Sequence, residues 1–332
     1  MARLHGLLTL RPASRPWQLA VLAAAAVGVA MAGGAIAGNI PAGTNAALGA
    51  FAFCALPPGS PRRQFAVVGA MGLGIIAGFV LGTIMAPSGP MAAIGLGLFA
   101  AGAVAAVLRG RVGMPGALFP CMSAALATQI ALPLAALPQV MLQLGGGVAL
   151  ALAMVGLFRV VAPDLSAPAA TPLAWVERSG AVPVVVGLAV AVSHALAHLA
   201  GVPRPYWAPV SCIAVIQGMS FAAVKTRYAH RVAGTLLGLV PAALLLPLAP
   251  HPWLVALAIT LLSWGVEALV PRHYGLAVML ITPLALLLAQ AAHRGPLALE
   301  TLLVARALDT VIGSAVALLA GFALVRLDRS RA

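Results

Sequence analysis

The sequence predicts an all-α polytopic membrane protein with about twelve transmembrane helices. These would form two parallel six-helix repeats, each readable as an inverted three-plus-three pair. Three observations predict this class. The first is composition: of 332 residues, 62% are hydrophobic and only 8% charged, with a mean hydropathy of +1.07. A soluble domain carries about 25% charged residues, so no water-facing surface can be built here, and chain disorder needs low hydrophobicity. The second is the pattern of apolar residues. They come in unbroken runs such as Gln18 to Ala37 and Phe65 to Ala86, whereas a membrane β-strand alternates over about ten residues. The third is the segregation of basic residues between the two ends of the predicted helices.

Taken in order, the spans are approximately 17–37, 43–57, 65–87, 90–108, 114–135, 138–160, 181–200, 206–220, 230–249, 252–270, 274–292 and 302–325. The first follows a basic leader (Arg3, Arg11, Arg15). Its apolar run exceeds the roughly 7–15 residues of a signal-peptide core, so it reads as an uncleaved span. The second and eighth are short. Arg62 and Arg63 precede the third, Arg109 and Arg111 follow the fourth, and Arg159 closes the sixth. The longest charged connection, about Ala162 to Ser179, separates the six-helix halves 1–165 and 180–332. Tyr206-Trp207-Ala208-Pro209 opens the eighth span, and the basic stretch Lys225 to Arg231 leads into the ninth.

Twelve alternating spans with both termini cytoplasmic place Arg3, Arg11, Arg15, Arg62, Arg63, Arg109, Arg111, Arg159, Arg178, Lys225, Arg227, Arg231, Arg272, Arg326, Arg329 and Arg331 on one side. That is 16 of the 19 basic residues, leaving Arg204, Arg294 and Arg306 on or toward the other. An error in span number would scramble this split, so the positive-inside rule supports the count. The formal charge of +13 is therefore a topology signal and implies no nucleic-acid partner. The one lysine, Lys225, lies in no Gly-x4-Gly-Lys-Ser/Thr loop, which excludes ATP hydrolysis by this chain. Three cysteines, Cys54, Cys121 and Cys212, fall inside spans and imply no disulfide framework.

Internal similarity supports the repeats. A shift of 165 aligns Arg62 with Arg227 and Gly69 with Gly234. Within the second half, Arg231-Val-Ala-Gly234-Thr235-Leu-Leu-Gly238 resembles Arg306-Ala-Leu-Asp309-Thr310-Val-Ile-Gly313. Three spans separate the two motifs, an odd number, so these units would be inverted, a plan known in secondary transporters.

Polar residues inside spans are costly and mark function by default. The second half holds His194, His198, Gln217, Thr235, Glu267, Thr282, Arg306, Asp309 and Thr310, while the first has chiefly Asn45, Gln129, Gln139 and Gln143. Offsets of three, four and seven put Arg306, Asp309, Thr310 and Gly313 on one helical face. An anion-attracting arginine beside a protonatable aspartate is one reading of that face. An ion pair locking two helices is the other. Arg231, Arg227 and Thr235 would form a basic entrance for anions, or only set topology. His194 and His198 share a face at i, i+4. With no third ligand nearby in sequence, a metal is not expected there, and proton handling competes with a structural role. Glu267, a turn before Arg272, reads as an interfacial ion pair, and Tyr206 and Trp207 as interface anchors or a stacking surface. Six acidic residues in total leave little for acid–base catalysis, and no cofactor site is apparent, so an enzyme is not expected.

These residues carry a resemblance. Tyr206-Trp207-Ala208-Pro209, Lys225 to Arg231, Gly234-Thr235-x2-Gly238, Tyr274 to Pro283 and Arg306 to Gly313 resemble the fusaric acid resistance family of aromatic acid exporters. The similarity runs from about Val182 to Leu327. It is weak in the first half, where the tyrosine–tryptophan pair is absent and Ala70 stands in place of the threonine. The resemblance implies a bacterial inner-membrane exporter of small organic, chiefly aromatic carboxylic, acids driven by the proton-motive force. Arg306, Arg231, Arg227, Thr235, Thr310, Tyr206 and Trp207 would bind substrate, and Asp309, His194 and His198 would couple protons. Larger members carry a cytoplasmic domain after each bundle, which this sequence does not show. Plant aluminium-activated malate channels are distantly similar, so a passive organic-anion channel stays open, as does a non-transporting membrane scaffold. Partners would be a small organic anion and the bilayer, with homo-oligomerisation open.

Overall fold

The computed structural model describes residues 9–12, 15–130, 132–162, 180–217, 220–248, 251–292 and 298–329. Arg3, Arg178, Arg294 and Arg331, used above for the charge split, lie outside the described residues, as does most of the 162–179 connection. Among the described residues the chain is all-helical. Its helices are α1 (Trp17–Ile36), α2 (Ile40–Ala50, continued by a 3-10 turn Phe51–Ala55), α3 (Pro61–Met85), α4 (Ala92–Arg109), α5 (Leu118–Ala127) and α6 (Leu137–Val161). They continue as α7 (Val182–Leu199), α8 (Trp207–Ile216), α9 (Phe221–Leu245), α10 (Pro252–Leu269), α11 (Tyr274–Ala292) and α12 (Leu299–Arg329).

Each predicted span contains one helix, but nine, not twelve, of the described helices are long and apolar enough to cross a bilayer. The exceptions are α2 with its 3-10 extension, α5 and α8, apolar helices of 10–16 residues. Turn chemistry explains the shortening. The Asn39 side chain caps α2 by accepting from the N–H of Ala42 at 3.2 Å. α5 ends at Ala127, where the Thr128 hydroxyl turns back to donate to the Ala125 carbonyl at 2.7 Å. The ninth span begins earlier than its hydropathy indicates. Ser220 Oγ accepts from the N–H of Ala223 at 3.2 Å, so α9 starts at Phe221. Lys225 and Arg227 are therefore helical rather than in the loop before the ninth span, as expected of good helix formers behind a serine cap.

Contacts divide the chain into two compact units: residues 1–72, 138–169 and 233–303, and residues 73–137, 170–232 and 304–332. In the first, α1 packs on α2 and α10, α10 on α11, and α11 on α2. Apolar surface cannot drive helices together in lipid, so close backbone approach must. Accordingly, a Cβ on Gly49 would meet the Leu144 carbonyl, and one on Gly147 the Ala46 carbonyl. Beside this seam Asn45 Nδ2 donates to Gln143 Oε1 at 2.8 Å. Asn45→Leu is expected to weaken the unit by only about 0.6 kcal/mol; thermal melts of a double-mutant cycle with Gln143→Leu would measure it.

In the second unit, α7 packs on α4 and α8, and α5 on α4 and α8. Gly97 and Gly187 face each other's carbonyls across α4 and α7. Gly78 and Gly82 do the same to the carbonyls of Pro120 and Ala124 on α5. All three cysteines are buried free thiols.

Candidate functional site

The sequence of α8 is apolar except for Ser211, and every residue from Trp207 to Ile216 is buried. Ten residues span only about 15 Å, half a bilayer core. Its Trp207, Ser211 and Ala214 share one face by their spacing of four and three. In the second unit each of the three meets an arginine. The Arg306 guanidinium stacks over the Trp207 ring, with Cζ 4.2 Å from the centroid. An Arg231 Nη donates to Ser211 Oγ at 3.2 Å. Arg227 Nε donates to the Ala214 carbonyl at 3.2 Å.

The α12 face predicted from spacing is present. Arg306 and Asp309 are both 0% exposed, and Thr310 and Ser314 are buried with them. The Asp309 carboxylate lies near Arg306 and the backbone N–H of Trp207 at the start of α8, and neither of its oxygens makes a hydrogen bond. That N-terminus carries partial positive charge. Tyr206 is fully buried, and its ring lies 4.4 Å from that of Trp207. A Cβ on Gly313 would strike the Ala208 carbonyl, so the missing side chain is what seats α12 against α8. The result is a buried positive pole, made of a helix N-terminus and a guanidinium stacked on the Trp207 ring, with one carboxylate near it. Chemically it can hold a planar anion, or hold Asp309 until one arrives.

The structure thus brings together Tyr206, Trp207, Arg306, Asp309 and Thr310, and docks Arg227 and Arg231 along the same short helix. Thr235 is buried but falls in the first unit, where neighbouring Gly234 and Gly238 pack against α11. His194 and His198 stack at 6.5 Å with an interplanar angle of 18° and line a cavity in the second unit. Among the described residues no group of three or more His, Cys, Asp or Glu is gathered that could hold a metal. Glu267, in the first unit, has Arg15 and the Cys54 thiol as neighbours. Sequence reasoning missed Ser211. Its signal was there, a lone hydroxyl four residues after Trp207 in an otherwise apolar short helix.

Residues 188–320, which include every residue of this site, match the profile of the family described as fusaric acid resistance protein-like. Two curated relatives are similar. One is described as an uncharacterized membrane protein, YvaC of Bacillus subtilis (strain 168), 34% identical over 126 residues, which is 38% of this chain and 20% of that protein. The other is the uncharacterized protein slr1298 of Synechocystis sp., 34% identical over 136 residues, 41% of this chain and 18% of that protein. The chain spans about a fifth of the length of these relatives. No solved structure matches.

Proposed function

We propose that the protein is a secondary transporter that exports small aromatic carboxylic acids across a bacterial inner membrane, driven by the proton-motive force. The observation that carries this reading is the fully buried Arg306, stacked on Trp207 and near Asp309 at the N-terminus of α8. With nine helices among the described residues long and apolar enough to span a bilayer, such a charge is costly and calls for a task. The substrate carboxylate takes the place of Asp309 against Arg306 and the helix terminus, with its ring against Tyr206 and Trp207. Asp309 takes up a proton from outside once the anion has left and releases it to the cytoplasm on the return, so anion and proton cross in opposite directions, as export driven by an inward proton gradient requires.

Two features support the transporter architecture. Short helices in corresponding places of the two halves, α2 and α8, are the pattern that points to a midplane site. The contacts within each unit also follow one plan. The first unit pairs α1 with α10 and α2 with α11; the second pairs α7 with α4 and α8 with α5. Advancing every helix six places along the chain, cyclically, turns the first set into the second. On this reading twelve helices form two six-helix repeats with both termini cytoplasmic. The backbone N–H of Arg11 bonds to the Arg272 carbonyl at 3.0 Å, which supports putting those two arginines at one membrane face.

The test is uptake of labelled benzoate into proteoliposomes with and without an imposed pH gradient. Accumulation that follows the gradient, exceeds that of protein-free liposomes (which undissociated benzoic acid enters unaided) and is lost in Arg306→Gln is the expected result. Equilibration that ignores the gradient would make the protein an anion channel. Absence of flux for any aromatic acid would leave the scaffold reading.

A further inference from the structure

A second group of cations, apart from the anion site, lies in the second unit where the start of α9 meets the end of α12. Phe221 opens α9 with Lys225 one turn on, and Phe322 and Arg326 stand one turn apart near the end of α12. The spacing of four puts each cation on the same helix face as a ring. The two rings pair at 6.0 Å with an interplanar angle of 54°. Lys225 Nζ lies over Phe221, 5.3 Å from its centroid. Arg326 Cζ lies over Phe322 at 5.0 Å. The backbones come close here, since a Cβ on Gly321 would sit 3.1 Å from Val224 Cγ1. Unlike the residues of the anion site, Lys225, Phe322 and Arg326 are all exposed.

Both helices are long and apolar enough to cross a bilayer, and the cluster occupies their ends. That is the level where hydrocarbon gives way to headgroups, and where exposed rings and cations belong. Among the described side chains no carboxylate pairs with Lys225 or Arg326. Asp328 stands two positions from Arg326, a spacing that does not share a helix face. A guanidinium held over a ring keeps its edge N–H donors, which fit the paired oxygens of a phosphate. Below the cations the surface is apolar. Leu308, Val311, Leu319 and Phe322 are exposed and share the Arg326 face of α12 by helical spacing. From Leu308 to Phe322 this stripe runs about 21 Å, more than the roughly 15 Å of one leaflet's hydrocarbon. We propose that the cluster binds an anionic phospholipid. Arg326 and Lys225 hold the headgroup phosphate, and an acyl chain lies along the α12 stripe. The apolar stripe running directly into the cations favours a lipid over a free anion. The proposal does not depend on the transport reading. It does bear on the anion site, because α9 and α12 supply the three arginines that meet α8, and a bound headgroup fastens these two helices together.

Native mass spectrometry of the purified full chain tests this, after titration with phosphatidylglycerol or phosphatidylcholine of the same acyl chains. One phosphatidylglycerol is expected to bind first, favoured about 25-fold over phosphatidylcholine, because each basic residue contributes about fivefold at an anionic headgroup. Lys225→Gln combined with Arg326→Gln should erase the preference. Arg62→Gln combined with Arg63→Gln removes the same charge from the exposed start of α3 and should leave it intact. Phe322→Leu keeps both charge and apolar surface but removes the ring, and should cost about threefold. The substituted side chains are exposed, so these variants keep the fold. Excess inorganic phosphate should not displace the lipid. Equal loss in the two double variants would overturn the proposal in favour of diffuse surface charge. Displacement by phosphate would make the cluster a free-anion site, and the absence of any preference for phosphatidylglycerol would remove the site altogether.

Discussion

Arg306→Gln is expected to lower benzoate flux in proteoliposomes about 100-fold, the consequence of removing one member of a fully buried charge pair. The guanidinium has no exposed surface and rests on the Trp207 ring. Without it the Asp309 carboxylate keeps only the start of α8 as a positive neighbour. The same substitution should destabilise the protein by about 3–5 kcal/mol, since an uncompensated buried charge remains. A flux loss alone therefore does not separate transport from folding, but a second change does. Adding Asp309→Asn removes the stranded charge, so the double variant should regain most of the thermal stability and none of the flux. A double variant that transports at the wild-type rate would make Arg306 a structural strut and remove the anion site. Arg306→Lys should not rescue flux, because a compact ammonium replaces neither the planar stack nor the forked donor geometry.

Much of this arrangement was legible in the sequence, and particular residues show where legibility ended. The motif Arg306-x2-Asp309-Thr310-x2-Gly313 fixed its own face through helical spacing alone, and all four residues lie on the buried side of α12. The positions of the helices followed from hydropathy because lipid demands about 20 apolar residues per span. Their lengths did not, since hydropathy is blind to where a helix stops inside an apolar run. Thus 114–135 reads as one span, yet only Leu118–Ala127 is helical α5, while Thr128, Gln129, Ile130, Leu132 and Pro133 line a cavity. Charge likewise misled at α9, where Lys225 to Ala229 reads as loop until the Ser220 cap is recognised. What no sequence pattern carried was partnership: that Arg227, Arg231 and Arg306 all choose α8. Such pairings depend on which backbones approach closely, and the glycines that permit the approach are too common here, 35 in all, to be read individually.

Gly313→Val is expected to be strongly damaging, costing about 3 kcal/mol or more. Even a Cβ at this position would run into the carbonyl of Ala208. A backbone carbonyl inside a buried helix cannot rotate away as the end of a flexible side chain can, so α12 itself must move. Arg306 and Asp309 lie two turns and one turn before Gly313 on the same face, and their engagement with Trp207 requires α12 to stay seated. The variant should therefore melt at a markedly lower temperature in detergent, and whatever remains folded should have lost benzoate flux. Gly156 on α6 is the control. A Cβ there meets nothing within 4 Å, and Gly156→Ala should hold or raise the melting temperature, because alanine restricts the unfolded chain and favours the helix. Equal melting temperatures for Gly313→Val and wild type would mean that α12 and α8 are not in backbone contact. The stacking of Arg306 on Trp207 would then lose its mechanical basis, since that contact is what holds the guanidinium and the helix terminus at one point.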